Sequence, residues 1–330
     1  MAAPTEGRLA VELGELVALP GPPGAEEPVA EAIVTRLAGL PMTPMRDELG
    51  NVRLLAEGSR PRVLVTAHMD QVGYMVSRLG EDGALCLPLG SPQLPPGRTT
   101  RVRVVGNAHP AFDAELESHG EKGGMLRSER RDEIQIGDCV VFADSLVRRE
   151  DGRVCSPALD DRIGCLVALQ AARSLAAQTD DVAFAWTVRE EAEPAGVVRV
   201  ARDIDPDVVV AVDITYATAD GGDSMESVLK LGAGPVITLL DGGMVGHSWP
   251  LRTFDRAARN LGMHWQAEVV RSGASEAGRA QGMLGIPAIA LLVPIENPHS
   301  AEEVADLGDV GAVLELLIEG VGELVGDSSS

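Results

Sequence analysis

Side chains that can bind a metal ion or transfer a proton follow several apolar runs of this sequence. Four of the runs predict buried strands, and one further position opens a helical pattern. In chain order these side chains are His68 with Asp70, Asp160 with Asp161, Glu190 with Glu191, Asp213, and His299. Because ligands of open α/β sheets bind beyond the carboxyl ends of the strands, these groups are expected to meet at one edge of a sheet.

The two histidines and several carboxylates form a donor set that suits zinc, cobalt or manganese without any thiolate. Five donors exceed what one tetrahedral ion with an open position needs, and two ions that share a carboxylate fit better. Each position alone also has a structural explanation. A lone histidine is more often a surface group, and Asp160 and Asp161 suit a helix N-terminus. Their joint occurrence favours a two-metal site.

The local spacing assigns roles within this set. The strand period of two places His68 and Asp70 on one side, so Asp70 is expected to orient the imidazole. Adjacent Glu190 and Glu191 on an extended backbone are expected to point opposite ways, one to a metal and one to a water. Asp213 follows five apolar residues, and a buried carboxylate there needs a cation or hydrogen-bond donors.

From residue 160 onward strands alternate with helices. This pattern predicts an α/β fold with a mixed, mostly parallel sheet that helices cover on both faces. Predicted strands are 62–66, 72–79, 181–188, 208–212, 236–240, 265–270 and 286–293, and predicted helices are 7–19, 25–39, 160–177, 195–202, 250–261, 275–284 and 309–325.

Between about residues 80 and 152 the sequence has many Gly and Pro, short β-rich runs and no long helix. Asp151-Gly152 predicts a hairpin turn. We therefore predict a small all-β domain, residues 73–152, inserted into a main domain of residues 1–72 plus 153–330.

The composition excludes several classes of function. The chain has 28 Lys and Arg against 50 Asp and Glu, a formal net charge of −22, which argues against nucleic-acid binding. The longest apolar run, residues 286–295, is too short to span a bilayer, so no membrane partner is expected. Four cysteines without a C-x-x-C pair indicate reduced thiols, and with no signal-peptide pattern at the N-terminus they predict a cytoplasmic location.

Five segments carrying the candidate ligands resemble a known family. They are AHMDQVGYMV (67–76), ALDDRIGC (158–165), TVREE (187–191), AVDIT (211–215), and PHS followed by Glu302 or Glu303 (298–303). In this order they resemble the dinuclear-metal aminopeptidases of clan MH. That family includes the TET, glutamyl and deblocking aminopeptidases, and some members have been labelled endoglucanases. The resemblance runs over nearly the whole chain, including a β insert between the first and second segments.

The resemblance implies a metal-dependent aminopeptidase that hydrolyses N-terminal residues from peptides through a two-metal-activated water. It implies two divalent ions per subunit, zinc or cobalt and also manganese. The implied roles are His68 and Asp213 for the first metal, Glu191 and His299 for the second, Asp160 as the bridge, Glu190 as general base, and Asp70 behind His68. It also implies that main-domain residues hold the metallopeptidase site and that residues 73–152 mediate self-association.

The sequence departs from the family pattern around the expected substrate pocket. AEPAG (192–196) replaces a Val-Gly-x-Arg-Gly-like stretch, residues 274–277 replace a Gly-Thr-Asp-Ala-like motif, Glu296-Asn297 replaces Arg-Tyr, and Pro157 replaces Lys. Basic residues are lost and acids gained, which predicts an acidic pocket. Ser275, Glu276 and Glu296 are therefore candidate substrate-binding residues, and the expected preference is for basic over acidic N-terminal residues.

Other functions stay open at this point. One is a related two-metal deacylase or carboxypeptidase, and another is a non-catalytic oligomeric member of the family with an altered pocket. A glycosidase is disfavoured, because that chemistry uses two carboxyl groups across the scissile bond without a metal. Sensitivity of activity to a chelator distinguishes the last class from the others.

Overall fold

The apolar runs of the chain become helices and strands close to the predicted bounds. The computed structural model describes residues 4–120, 123–143, 145–193, 195–217 and 226–326. The α-helices are α1 Glu6–Val17, α2 Glu27–Leu37, α3 Leu159–Leu175, α4 Ala195–Ile204, α5 Ser248–Asn260, α6 Glu276–Leu284 and α7 Leu307–Gly326. The helices predicted from periodicity therefore all form, with ends shifted by a few residues.

Eleven of the strands in the described residues belong to one large sheet. Numbered in chain order together with the barrel strands below, they are β1 Thr43–Arg46, β2 Val52–Leu55, β3 Val63–His68, β10 Val147–Arg148, β11 Arg153–Ser156, β12 Val182–Thr187, β13 Val208–Tyr216, β14 Val236–Leu240, β15 Gln266–Val269, β16 Ala288–Glu296 and β17 Glu303–Asp306. The order is β1-β2-β12-β3-β13-β16-β17-β11-β10, with β14 between β16 and β15 on a branch.

The sheet has a parallel centre and antiparallel flanks. Strands β12, β3, β13 and β16 run parallel to one another, as do β14 and β15. The pairs β1–β2, β2–β12, β16–β17, β17–β11, β11–β10 and β14–β16 are antiparallel. The prediction of an α/β fold with a mixed sheet is thus confirmed, but parallel pairing predominates only in the centre, where helical crossovers connect the strands.

Alternate residues of the central strands face two separate apolar cores. In β13, Val208, Val210 and Val212 pack in the core with α1, α2, α3, α5 and α7, whereas Val209 and Ala211 pack in the core with α4 and α6. Helices therefore cover both faces, which explains why these strands read as continuous apolar runs rather than as alternating patterns.

The remaining strands form a separate closed antiparallel barrel. They are β4 Gly73–Gly80, β5 Gly83–Leu89, β6 Thr99–Val105, β7 Phe112–His119, β8 Gly123–Arg127 and β9 Cys139–Phe142, in the order β4-β5-β8-β7-β6-β9. Tyr74, Val102 and Leu116 are buried in its own small core. Closure of the barrel leaves it without open sheet edges.

The barrel strands end at Phe142, and β10 already pairs with β11 of the large sheet around the turn at Asp151-Gly152. The division of the chain at residues 73 and 152 stays a prediction. No helix within the described ranges is both long and apolar enough to cross a membrane. Cys86, Cys139 and Cys165 are buried free thiols. The cytoplasmic location also stays a prediction.

Candidate metal centre

The ends of the central strands bring the candidate ligands to one edge of the sheet. His68 is the last residue of β3, and Asp213 lies toward the end of its neighbour β13. Glu190 and Glu191 follow the end of β12, and His299 follows the end of β16. Because these strands are parallel, their carboxyl ends share this edge.

Asp160 lies between the two histidines and presents one carboxylate oxygen to each. Its Oδ1 is 3.2 Å from Nε2 of His68, and its Oδ2 is 3.0 Å from Nε2 of His299. On the His68 side, Oδ1 of Asp213 is 3.7 Å from Nε2. On the His299 side, Oε1 of Glu191 is 3.4 Å from Nε2. The structure therefore brings all five predicted ligands together in two groups joined by one carboxylate.

Two sets of potential metal-binding atoms both include His68. One set consists of His68, Asp160 and Glu191 and so joins the two sides of the site, and the second consists of His68, Asp161 and Asp213. Within each set the ligand atoms lie within 4.8 Å of one another. The metal roles implied by the resemblance do not include Asp161, whose carboxylate the structure places next to the candidate ligands.

The start of α3 differs from the predicted helix at residue 160. Asp160 and Asp161 have non-helical backbone angles, and the peptide bond between them is cis. Asp161 Oδ1 accepts a hydrogen bond from the amide of Gly164 at 2.8 Å, in the manner of an N-cap, and Oδ2 accepts from the amide of His68 at 3.3 Å. A Cβ at residue 164 would lie 2.3 Å from Asp161, so this position requires glycine. Asp161 thus joins the helix start to the end of β3.

Asp70 binds the backbone that carries Glu190 and Glu191. Its two carboxylate oxygens accept hydrogen bonds from the amides of Glu190 and Glu191, both at 2.9 Å. Its Oδ1 is 3.5 Å from Nδ1 of His68, which places Asp70 behind the imidazole as expected. The backbone before Glu190 and Glu191 is not the extended strand end that the sequence suggested, because it turns at Arg189, where φ is +64°. Both residues line the same cavity, and the opposite orientation of their side chains stays a prediction.

Two buried glutamates outside the predicted set position the ligands. Glu303, at the start of β17, accepts hydrogen bonds from the amides of Asp160 at 3.1 Å and His299 at 2.8 Å. Glu26 accepts from the amide of Arg189 at 3.1 Å. The motif at 298–303 named Glu303 as one of two alternatives but gave it no role. No sequence signal indicated that Glu26 reaches the site, because its contact depends on the fold.

A residue near the barrel also reaches the centre. Oγ of Ser91, in the connection after β5, is 2.9 Å from Nδ1 of His299. His299 has a φ of +64°, and Glu303 holds its amide. The imidazole is therefore fixed on one side by the main sheet and on the other by the segment between barrel strands.

The charges of the site are unbalanced without cations. The carboxylates of Asp160 and Asp213 are buried, and among the described residues their ion-pair partners are the two histidines. Burial lowers the pKa of His68, but the hydrogen bonds to Asp160 and Asp213 outweigh it and raise the pKa well above its usual value. A buried cluster of carboxylate oxygens and imidazole nitrogens with a net negative charge fits divalent cations.

Glu190 lies beside the candidate ligands, and its pKa is strongly raised. Burial raises its pKa to about 8, against an opposing effect of His68, and the charges of Asp213 and Asp70 add to the increase. Glu190 also lines the cavity next to the candidate ligands. A carboxyl group with these properties is suited to exchange a proton near neutral pH.

A cavity of about 470 Å³ opens beside the candidate ligands. Ser275 lies in its wall, and its role in substrate binding stays a prediction. Among the described residues the lining does not include Glu276 or Glu296. Glu276 is buried and accepts a hydrogen bond from the hydroxyl of Thr187. Of the divergent segment 192–196, position 194 lies outside the described residues.

The fold and this site are those of a known class of peptide hydrolases. The family model of the M42 glutamyl aminopeptidases matches residues 50–111 and 125–316. The chain belongs to this family and is a peptide hydrolase. The family match confirms the resemblance read from the five motifs, and it disfavours a deacylase or a non-catalytic protein.

Individual relatives agree with the family match. The lysyl aminopeptidase of Pyrococcus furiosus is 32% identical over 296 residues, which cover 82% of this chain and 84% of that protein. An aminopeptidase from the archaeon Desulfurococcus kamchatkensis is 25% identical with a TM-score of 0.88, covering 98% of this chain and 99% of that one. The TET1 peptidase of Pyrococcus horikoshii is 25% identical with a TM-score of 0.81, covering 94% and 98%.

Proposed function

We propose that the protein is a metal-dependent aminopeptidase that removes N-terminal residues from peptides, with Glu190 as general base. The observation that carries this proposal is the position of Asp160, whose two oxygens face Nε2 of His68 and Nε2 of His299. A carboxylate in this position is suited to bridge two cations. Membership of a peptidase family supports the peptide bond as the target.

Two divalent cations fit the donors present. His68 and Asp213 would hold one, Glu191 and His299 would hold the other, and Asp160 would be shared. The donor types suit zinc or cobalt, and manganese as well. When bound, these ions supply positive charge that lowers the pKa of a water and polarises a peptide carbonyl.

Glu190 performs the proton transfers in this proposal. Its carboxylate lines the cavity beside the candidate ligands and can accept a proton from the attacking water. The same group can then donate that proton to the leaving amine. Asp70 contributes by holding the amides of Glu190 and Glu191, which fixes both side chains relative to each other. Glu26 holds the preceding amide, that of Arg189.

The test compares three proteins after metal removal and add-back of Zn²⁺, Co²⁺ or Mn²⁺. The substrates are a panel of aminoacyl-anilides and short peptides. Wild type should regain activity with at least one metal, and Glu190→Gln should lose about 10³-fold in kcat while binding metal normally. Glu57→Gln, an exposed glutamate, serves as the matched control. Full activity of Glu190→Gln would overturn the role of Glu190, and metal-independent activity would overturn the metal mechanism.

We also propose that the protein self-associates through the β-barrel. Met75 and Leu87 face each other on β4 and β5 and are exposed, as are Leu79 and Ile136 of the barrel region. Exposed apolar side chains in one region are suited to a contact with another copy. The related TET1 peptidase assembles into a tetrahedron or an octahedral shell. Light scattering should show an assembly that Leu87→Lys reduces, and a monomeric wild type would contradict the proposal.

A further inference from the structure

The cavity beside the candidate metal centre has a far wall made from elements outside the ligand set. This wall contains apolar side chains from the region of β14–β16, including Leu229, Val270 and Leu292. Asp241 and Glu268 line the same cavity. A ligand placed at the candidate metal centre can therefore extend a side chain along an apolar surface toward acidic groups.

Glu268 is the most deeply buried of these acidic groups. It is 4% exposed, and its two oxygens accept hydrogen bonds from the hydroxyls of Thr215 and Thr238. Both partners are neutral, so the hydrogen bonds satisfy the carboxylate without neutralising it. Burial raises the pKa of Glu268, the two threonine hydroxyls oppose this effect, and the charges of Asp241 and Asp213 add to the increase. A buried carboxylate with no cationic partner among the described residues favours a cation from outside the chain.

A second and independent feature of the wall is the hydroxyl of Ser275. Ser275 is 6% exposed and lines the cavity, and its Oγ has no hydrogen-bond partner in the structure. Its neighbour in space is Asp241, whose carboxylate accepts a hydrogen bond from the amide of Ser275 and is also near the charge of Arg279, which does not line the cavity. An unsatisfied buried hydroxyl costs free energy, which a polar ligand in the cavity would recover.

The described lining contains no lysine or arginine that could pair with an acidic substrate group. Its two basic side chains are His68 and His299, which belong to the candidate metal centre. An N-terminal glutamate would thus bring a third carboxylate beside Asp241 and Glu268, at a cost of like-charge repulsion. An N-terminal lysine or arginine would lay its methylene groups on Leu229, Val270 and Leu292 and bring its charge to the carboxylates.

We infer that the cavity wall formed by Glu268, Asp241 and Ser275 selects peptides whose N-terminal residue has a long cationic side chain. This inference rests on the proposed aminopeptidase function and names its substrate class. It uses residues other than Glu276 and Glu296, which the sequence suggested for the same preference but which are absent from the described lining. Glu268 is the residue that determines the preference, and Ser275 accepts a hydrogen bond from the cationic group.

The test measures kcat/KM for Lys-, norleucine- and Glu-anilides, because norleucine keeps the methylene chain of lysine without its charge. For the wild type, the Lys/norleucine ratio should be at least about tenfold, and the Glu substrate should be the slowest. Glu268→Gln keeps an oxygen for hydrogen bonding but removes the charge, so it should lower the ratio by about tenfold. Glu315→Gln, an exposed glutamate of α7, should keep the wild-type ratio.

The outcomes separate this inference from the proposed function. Hydrolysis of norleucine-anilide without a preference for lysine, or fastest cleavage of the Glu substrate, overturns the inference and leaves the aminopeptidase proposal standing. A Glu268→Gln variant with an unchanged Lys/norleucine ratio overturns the assignment to Glu268. If that variant does not fold, Ser275→Ala replaces it, and it should raise KM for the Lys substrate more than for norleucine. An equal change for both substrates overturns the inference, and failure on every substrate overturns the proposed function instead.

Discussion

The candidate metal centre and the cavity wall beside it are built in different ways. Most of the candidate ligands lie at or just beyond the carboxyl ends of parallel strands, so one topological rule brings together His68, Asp213 and Glu191. The wall is assembled from the branch β14–β15 and from the loops around it, with Glu268 on β15 and Asp241 just after β14. The positions of the candidate ligands follow from the topology of the sheet. The positions of the wall residues depend on how the branch β14–β15 packs against that sheet.

We expect the candidate metal centre to determine the rate of hydrolysis and the cavity wall to determine which substrates are preferred. Changes to the strand-end residues should affect the hydrolysis of every substrate, because each substrate uses the same reacting atoms. Changes to the wall should alter the ratio between substrates. Variants of each region should therefore differ in whether they change the rate for all substrates or the ratio between substrates.

Asp160→Asn should have the largest effect. The amide presents one oxygen and one NH₂ group where the carboxylate presents an oxygen to each of His68 and His299. We expect activity on all substrates to fall by more than about 10³-fold, and metal content measured by mass spectrometry to fall below that of wild type. Asp180→Asn, an exposed aspartate after α3, is the control. Retention of both metal ions and activity in Asp160→Asn would remove Asp160 from the proposed centre.

The sequence predicted the parallel centre of the fold and the five candidate ligands because both depend on local patterns. Apolar runs predict strands, and the residues that follow them are expected at one edge. Antiparallel additions such as β17 and β11 were missed, since strands of four residues give little periodicity. The turn at Arg189 was missed as well, because a positive φ in a residue other than glycine has no local signal here.

The supporting contacts of the site were hard to predict for a physical reason. Glu26 reaches Arg189 from the start of α2, and Ser91 reaches His299 from the barrel side, over long stretches of sequence. Their side chains matter only because the fold brings them to backbone amides or imidazoles. The same holds for the pocket, where the divergent motifs pointed to Glu276 and Glu296, whereas the described lining contains Glu268 and Asp241.

Glu303→Gln should have an intermediate effect that is uniform across substrates. The two oxygens of Glu303 accept hydrogen bonds from the amides of Asp160 and His299, and glutamine has one acceptor oxygen for two donors. One candidate ligand on each side of the centre loses part of its support. We expect metal affinity and kcat/KM to fall by about 10- to 100-fold, as is typical for outer contacts of metal ligands.

The exposed neighbour Glu302 provides a closely matched control for that measurement. Glu302→Gln should behave as wild type in metal titrations and in kinetics. The expected division of roles between the two regions would be contradicted if Glu303→Gln changed the Lys/norleucine ratio as strongly as Glu268→Gln. Such a result would mean that the metal-bearing edge also sets selectivity.

The smallest expected effect on activity belongs to Asp309, which acts on the stability of the loop that leads into the wall. Asp309 accepts hydrogen bonds from the amides of Gly232 at 2.6 Å and Gly234 at 2.8 Å, just before β14. Burial raises the pKa of Asp309 to about 6, above its ordinary value of 3.8, and the charge of Asp306 adds to the increase. The folded state therefore holds a proton that the unfolded state releases, and stability should fall as pH rises from about 4 to about 6.

Denaturant unfolding of wild type and Asp309→Asn at a series of pH values measures this contribution. Asparagine does not titrate, so the variant should lose up to about 3 kcal/mol of the pH dependence of the unfolding free energy between these values. Asp180→Asn should keep the wild-type profile. If Asp309→Asn had the same pH dependence as the wild type, the pKa of Asp309 would be the same in the folded and unfolded states. The two amides would then stabilise its charge fully, and the wall would be anchored by a carboxylate rather than by a protonated carboxyl group.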